Sequence, residues 1–159
     1  MKKILALLLM AVMSFTLLTG CSNPVYDDFE NFLNVEMTEV NANYEKIKAE
    51  AGSWEGLEDD AALETSLKDG LLPIVDDSLE KLEKITPETE EVKNLKDKYI
   101  KVMEAYKEGF SEILTGVQEQ DEDKMTAGSE KIDKGIELLE EYNAALEALA
   151  EEVGAKIEY

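Results

Sequence analysis

The chain of 159 residues has no histidine, a single cysteine, three prolines and one tryptophan, and all of its basic residues are lysine. Each shortage removes a class of chemistry. Without histidine, and with Cys21 as the only thiol, there is no Ser-His or Cys-His dyad and no imidazole base. The common ligands for zinc, copper, haem and iron–sulfur groups are missing as well. Without arginine there is no bidentate clamp for phosphate or carboxylate. Chemistry is left to Asp, Glu, Lys, Tyr and hydroxyl groups, and the expectation is a non-enzymatic protein with no metal centre and no dissociable cofactor.

Negative charge is what the chain has in excess. Its 37 acidic residues against 16 lysines give a formal charge of −21. Such a field disfavours nucleic acid and anionic headgroups and raises the local concentration of cations and cationic peptides. The plainer reading is a solvated surface whose charge prevents association.

Lys2 and Lys3 open the chain, an apolar run follows over 4–18, and Leu18-Thr19-Gly20-Cys21 closes it. The run is shorter than the ~20 residues needed to span a bilayer as a helix. Basic start, apolar stretch, then apolar-small-Gly-Cys: the segment resembles a bacterial prolipoprotein signal peptide with its lipobox. That resemblance implies removal of residues 1–20 and a diacylglycerol, with palmitate-type acyl chains, on Cys21. It leaves residues 21–23 as a tether of about 10 Å, and one domain over 24–159 at the extracytoplasmic face of the bacterial cell membrane. Two acyl chains at ~0.8 kcal/mol per buried methylene make such attachment effectively permanent. The Lys- and Glu-rich, Arg-free usage resembles low-GC Gram-positive bacteria, and the overall plan resembles their small helical lipoproteins.

Helical periodicity dominates the remainder. Phe29, Leu33, Met37, Val40, Tyr44 and Ile47 recur at steps of three or four, with Pro24 suited to a first helical turn and Gly52-Ser53 ending the run. A second segment starts near Asp59-Asp60 and carries Leu63, Leu67, Leu71, Ile74, Leu82 and Ile85, with Gly70 and Pro73 inside it. Thr86-Pro87-Glu88 reads as N-cap, proline at the first helical position and acidic first turn of a third. Its face runs from Val92 through Leu95, Tyr99, Val102, Tyr106, Phe110 and Ile113 to Val117. The fourth carries Met125, Ile132, Ile136, Leu139, Tyr142, Leu146, Leu149 and Val153, with Gly154 placed to stop it. Four amphipathic segments with short connections predict an all-α, up-down-up-down four-helix bundle with a Pro-kinked second helix. The alternative is a three-helix bundle in which the second segment breaks at Gly70–Pro73.

Two places stand out as candidate sites. Trp54 and Leu57, in a glycine-flanked loop, share one pole with Glu119, Asp121, Glu122 and Asp123, and an aromatic in an acidic rim suits a cationic partner. The competing reading makes Trp54 a lid over the core end. Asp121-x-Asp123 fails as a calcium loop because Met125, Thr126 and Ile132 stand where a ligand, the glycine and the closing glutamate belong. Weak Ca²⁺ or Mg²⁺ binding by the acidic cluster is what remains of that idea. Pro73 sits level with Met37, Tyr99, Met103 and Tyr142, and a kink there opens an apolar pocket with hydroxyl handles, unless the same residues are ordinary core. Gly109, Gly116, Gly128 and Gly135 interrupt the last two helices, through close helix approach or mobility. Asn31, Asn34, Asn41 and Asn43 lie mostly off the apolar face and read as solvated.

The functional expectation is a membrane-tethered interaction module whose acidic surface meets an extracytoplasmic or cationic partner, with no nucleic acid. The second reading is a lipoprotein binding a small molecule or a divalent cation.

Overall fold

The computed structural model describes residues 23–56 and 59–157, and among them the chain is helical with no strand. Residues 1–22, with the expected signal peptide and Cys21, lie outside the described residues. Helix α1 (Pro24–Asn31) passes through a π turn at Phe32–Glu36 into α2 (Thr38–Gly52), and a 3-10 turn follows at Ser53–Gly56. Helix α3 (Asp60–Thr65) passes through a second π turn at Ser66–Leu71 into α4 (Leu72–Lys84). Helices α5 (Glu90–Glu119) and α6 (Glu122–Val153) are uninterrupted. Helix α2 packs on α4, both α4 and α1 touch α5, and α6 lies along α5.

The apolar stripes meet in one core: Phe29, Met37, Val40, Tyr44, Leu67, Leu71, Tyr99, Val102, Met103, Leu139 and Tyr142 are all buried. Burying one large apolar side chain contributes ~1.5–3 kcal/mol, which is why stripes that cannot be covered singly assemble together. Phe32 is fully buried too, three residues after Phe29 and so on the same face. The irregular step is the one from Phe32 to Met37, and the first π turn spans it. The Met37 N–H donates to the Phe32 carbonyl at 2.9 Å, five residues back. The extra residue shifts the face by one position, so Phe32 and Met37 both point inward.

The second segment departs from regular α geometry just ahead of Pro73. The Leu72 N–H reaches the Leu67 carbonyl across the π turn, and Leu72 itself keeps helical angles (φ −60°, ψ −45°) despite the following proline. Pro73 then stands in the first turn of α4, where the missing N–H has no regular partner to lose. The segment stays right-handed helical through Ser66 and Leu72.

Helix α5 begins at Glu90 with Thr89 as N-cap, three residues later than Thr86-Pro87-Glu88 suggests. The reason comes from α1. Asp28, only 6% exposed, accepts from the Glu88 N–H at 3.1 Å, the Thr89 N–H at 2.8 Å and the Thr89 hydroxyl at 2.5 Å. A carboxylate from another helix thus caps the positive end of α5, and residues 85–89 bend to meet it. This contact places the start of α1 and the start of α5 at one pole.

The glycines of the last two helices mark close approach. A Cβ on Gly109 would come within 2.9 Å of the Gly128 carbonyl oxygen, and one on Gly128 within 2.7 Å of the Gly109 oxygen. A Cβ on Gly116 would come within 2.8 Å of the Met125 backbone nitrogen, and one on Gly135 within 2.5 Å of the Tyr106 ring. Helix α6 ends on Gly154 at φ +75°, and α5 ends on Gln120 at φ +55°.

Two outcomes test this frame. Asp28→Ala should cost about 1–3 kcal/mol in urea unfolding, because two backbone N–H groups lose their acceptor. Gly128→Ala should destabilise by about 1–3 kcal/mol although alanine favours helix, whereas Gly52→Ala, whose Cβ meets nothing within 4 Å, should stabilise by about 0.4–1 kcal/mol. Equal shifts for the two alanine variants would show that the backbones do not touch.

Candidate functional site

Trp54 is built into the structure as a lid. Its indole N–H donates to the Ser66 hydroxyl at 2.9 Å, and that hydroxyl donates to Glu50 Oε1 at 2.7 Å. Its ring stands edge-on to Phe110, with centroids 5.9 Å apart at 75°. Leu57 lies outside the described residues. The nearby carboxylates serve α6: Asp121 Oδ1 accepts from the N–H groups of Asp123 and Lys124 at 3.1 Å each. Glu122 and Asp123 occupy the first turn, where negative charge suits the helix dipole. Glu119 pairs with Lys124, whose ammonium is held above its usual pKa first by that contact. Among the described residues no three acidic or sulfur ligands converge as a metal site.

Met37, Tyr99, Met103 and Tyr142 are all buried in the one core, and of these the Tyr99 and Tyr142 rings meet, 4.9 Å apart at 63°. Pro73 is exposed on the outer side of α4 and does not join them. The group also contains Tyr44 and Tyr106, which the sequence places on apolar faces and so reads as plain core. The hydroxyls of Tyr44, Tyr99 and Tyr106 are buried without a hydrogen-bond partner. Burial pushes the phenol of Tyr106 up to about 12. It pushes Tyr44, Tyr99 and Tyr142 up further, with Tyr106 adding to the shift of Tyr44 and Tyr142 to that of Tyr99.

The α2–α4 contact has a polar seam that spacing does not reveal. Asn43 is 4% exposed; its amide donates to Asp77 Oδ2 at 2.6 Å and its oxygen accepts from Lys46 at 3.1 Å. The asparagines are therefore not all solvated. The Asn43 hydrogen bond, ahead of Lys81, holds the Asp77 carboxyl below its usual pKa. Lys81 bridges Asp77 at 3.2 Å and Glu39 at 2.7 Å.

At the pole where α1 and α5 begin, the start of α5 and the end of α6 enclose a groove of about 220 Å³. Leu95, Ala145, Ala148 and Leu149 line it with apolar surface, and Glu91, Asn94, Lys98 and Glu152 stand around it. Charge on α6 is uneven. Lys124, Lys131 and Lys134 lie in its first half, paired with Glu119, Glu112 and Glu137 respectively. Beyond Lys134 the helix has no lysine, while Glu137, Glu140, Glu141, Glu147, Glu151 and Glu152 are all exposed. Its last turn contains no basic residue, so Glu151 and Glu152 face the negative end of the helix dipole, an unfavourable placement.

These features define an all-helical, acidic domain. The model of the EMYY-motif containing lipoprotein family matches residues 1–157, and the chain belongs to that family. It is thus a lipoprotein, associated with a membrane through its lipid. No curated protein and no solved structure matches it. No helix among the described residues is long and apolar enough to cross a membrane.

The tyrosines make a pH dependence with a definite sign. Unfolded phenols lose their protons near pH 10 and the buried ones do so higher, so their contribution to stability is complete below pH ~10 and is lost as pH rises toward 12 and beyond. Urea midpoints measured at pH 9, 10 and 11 should fall progressively above 10. A flat profile would place the phenols in solvent.

Proposed function

We propose that this lipoprotein is a non-enzymatic interaction module, an up-down-up-down helical bundle held by a lipid on Cys21 at the extracytoplasmic face of the cell membrane. It receives a cationic, partly apolar segment of an envelope partner in the groove between the start of α5 and the end of α6. The observation that carries this reading is the placement of Glu151 and Glu152. Carboxylates at a helix C-terminus reduce stability, and a cation bound there would relieve the repulsion.

Position supports it. Helix α1 begins at Pro24, and Asp28 joins α1 to the start of α5, so the groove lies at the pole nearest the lipid attachment. A tether over residues 21–23 keeps that pole within about 10 Å of the bilayer. A partner segment emerging from the membrane would meet the groove first. The pole with Trp54 recommends itself less, since the indole is already engaged by Ser66 and Phe110.

The test is a titration of the lipidated protein in neutral vesicles with a synthetic amphipathic helix carrying lysines along one face. Affinity should fall with salt, and Glu91→Gln/Glu151→Gln/Glu152→Gln should weaken it at least about tenfold, a loss of 1.4 kcal/mol, while slightly raising the melting temperature. Salt-independent binding, or unchanged affinity of the variant, would refute this site.

A further inference from the structure

We propose that the outward face of α1 and α2 between Asn31 and Ala42 pairs with the same face of a second copy of this chain on the same bilayer. This surface lies apart from the groove described above and shares with that reading only the lipid tether. Over this stretch the exposed side chains are Asn31, Asn34, Val35, Thr38, Glu39 and Ala42. Only Glu39 is charged, and it is drawn to Lys81 of α4 at 2.7 Å. Glu36, within the same stretch, turns one carboxylate oxygen inward and out of solvent. Val35 is 65% exposed, the one large apolar side chain so exposed among the described residues. Elsewhere the exposed positions of α4, α5 and α6 are mostly charged, as at Asp76, Glu104, Lys107, Glu137 and Glu141. Exposed charge returns at Asp27 before the strip and at Glu45 and Lys46 after it.

The tether selects the occupant. Two copies anchored in one bilayer keep the same end toward it, so a two-fold axis that relates them stands along the membrane normal. Helix α1 starts at Pro24, three residues after Cys21. Where the helix rises along that axis, each residue meets its own counterpart at equal height. A charged face would then set like charge on like, and in a chain with a formal charge of −21 few faces escape this. Asparagine suits such self-pairing: its amide donates to the carbonyl of its twin and its carbonyl accepts in return, as in parallel two-stranded coils whose register a single Asn sets. The Thr38 hydroxyl donates to the Asn34 carbonyl at 3.0 Å within its own helix, so it leaves water with that hydrogen bond kept.

Size sets where the pairing occurs. At ~1.5 Å per residue the strip is ~18 Å long, and a helix face ~10 Å wide gives ~200 Å² per copy. A stable interface buries ~800 Å² per partner. The pairing therefore depends on the effective concentration that a shared membrane supplies.

Energy transfer between donor-labelled and acceptor-labelled lipidated copies on neutral vesicles, at fixed surface density, tests the pairing. Transfer should exceed that of randomly placed anchors and should rise with salt, which screens the acidic remainder of the surface; binding in the groove falls with salt. Val35→Lys, which sets lysine against lysine, should weaken the association at least about tenfold. Thr126→Lys makes the same change of charge at an exposed position of α6 and should not weaken it. Both side chains are exposed, so circular dichroism should show equal helicity in the two variants. Random-level transfer in the parent protein, or equal transfer in the two lysine variants, would overturn the pairing. Loss of the protein from the vesicles would overturn the lipid tether and the pairing with it, whereas retention without transfer overturns the pairing alone.

Discussion

The backbone contact between α5 and α6 at Gly109 and Gly128 is the constraint on which the other features depend. Two helices can approach until a Cβ stands in the way, and here the carbonyl of each glycine occupies the space that a methyl on the other would need. Once that contact is made, the register of the pair is fixed. Tyr106 falls on Gly135, Tyr99 on Tyr142, and Gly116 on the backbone of Met125. The buried tyrosines of α5 and α6 and the groove at the far end of the pair inherit their positions from it.

The first half of the chain is accommodated to this hairpin by less regular means. Two π turns, at Phe32–Glu36 and Ser66–Leu71, each insert a residue and turn the apolar face. Phe29, Phe32 and Leu33 share one face ahead of the first, and beyond it α2 presents Val40, Tyr44 and Ile47 to the same core. Asp28 then fastens this half to the second by capping α5 from outside the helix. A buried carboxylate is tolerable there because three donors satisfy it at the positive end of a helix dipole.

Much of this was legible in advance because side-chain periodicity is a local property. The stripes from Phe29 to Ile47, Val92 to Val117 and Ile132 to Leu149 are buried as spacing requires, with Ile136 only partly covered, and the helix ends expected near Asp59 and at Gly154 are where the structure places them. The start of α5 was not legible: Thr86-Pro87-Glu88 has the right local chemistry, but a carboxylate some sixty residues earlier outbids it. The wide turn ahead of Pro73 was not legible either, since residue type around the proline does not announce it. Trp54 shows the limit from the other side. An aromatic in an acidic loop looks free to bind, and only the placement of Ser66 and Phe110 shows that its ring and its N–H are occupied.

Composition and local spacing were enough for the helical class, the excess of negative charge, the exclusion of histidine, arginine and dithiol chemistry, and, through the resemblance at Leu18-Thr19-Gly20-Cys21, the expectation of a lipoprotein. Each of these depends on residue type or on spacing within a few turns. Tertiary structure shows that the four glycines mean contact, that Asn43 is buried against Asp77, that the hydroxyls of Tyr44, Tyr99 and Tyr106 are buried, and that acidic residues crowd the unfavourable end of α6 beside an apolar groove. Those facts depend on which faces of distant helices meet, and periodicity fixes a residue's position around its own helix axis but says nothing of the residue across from it.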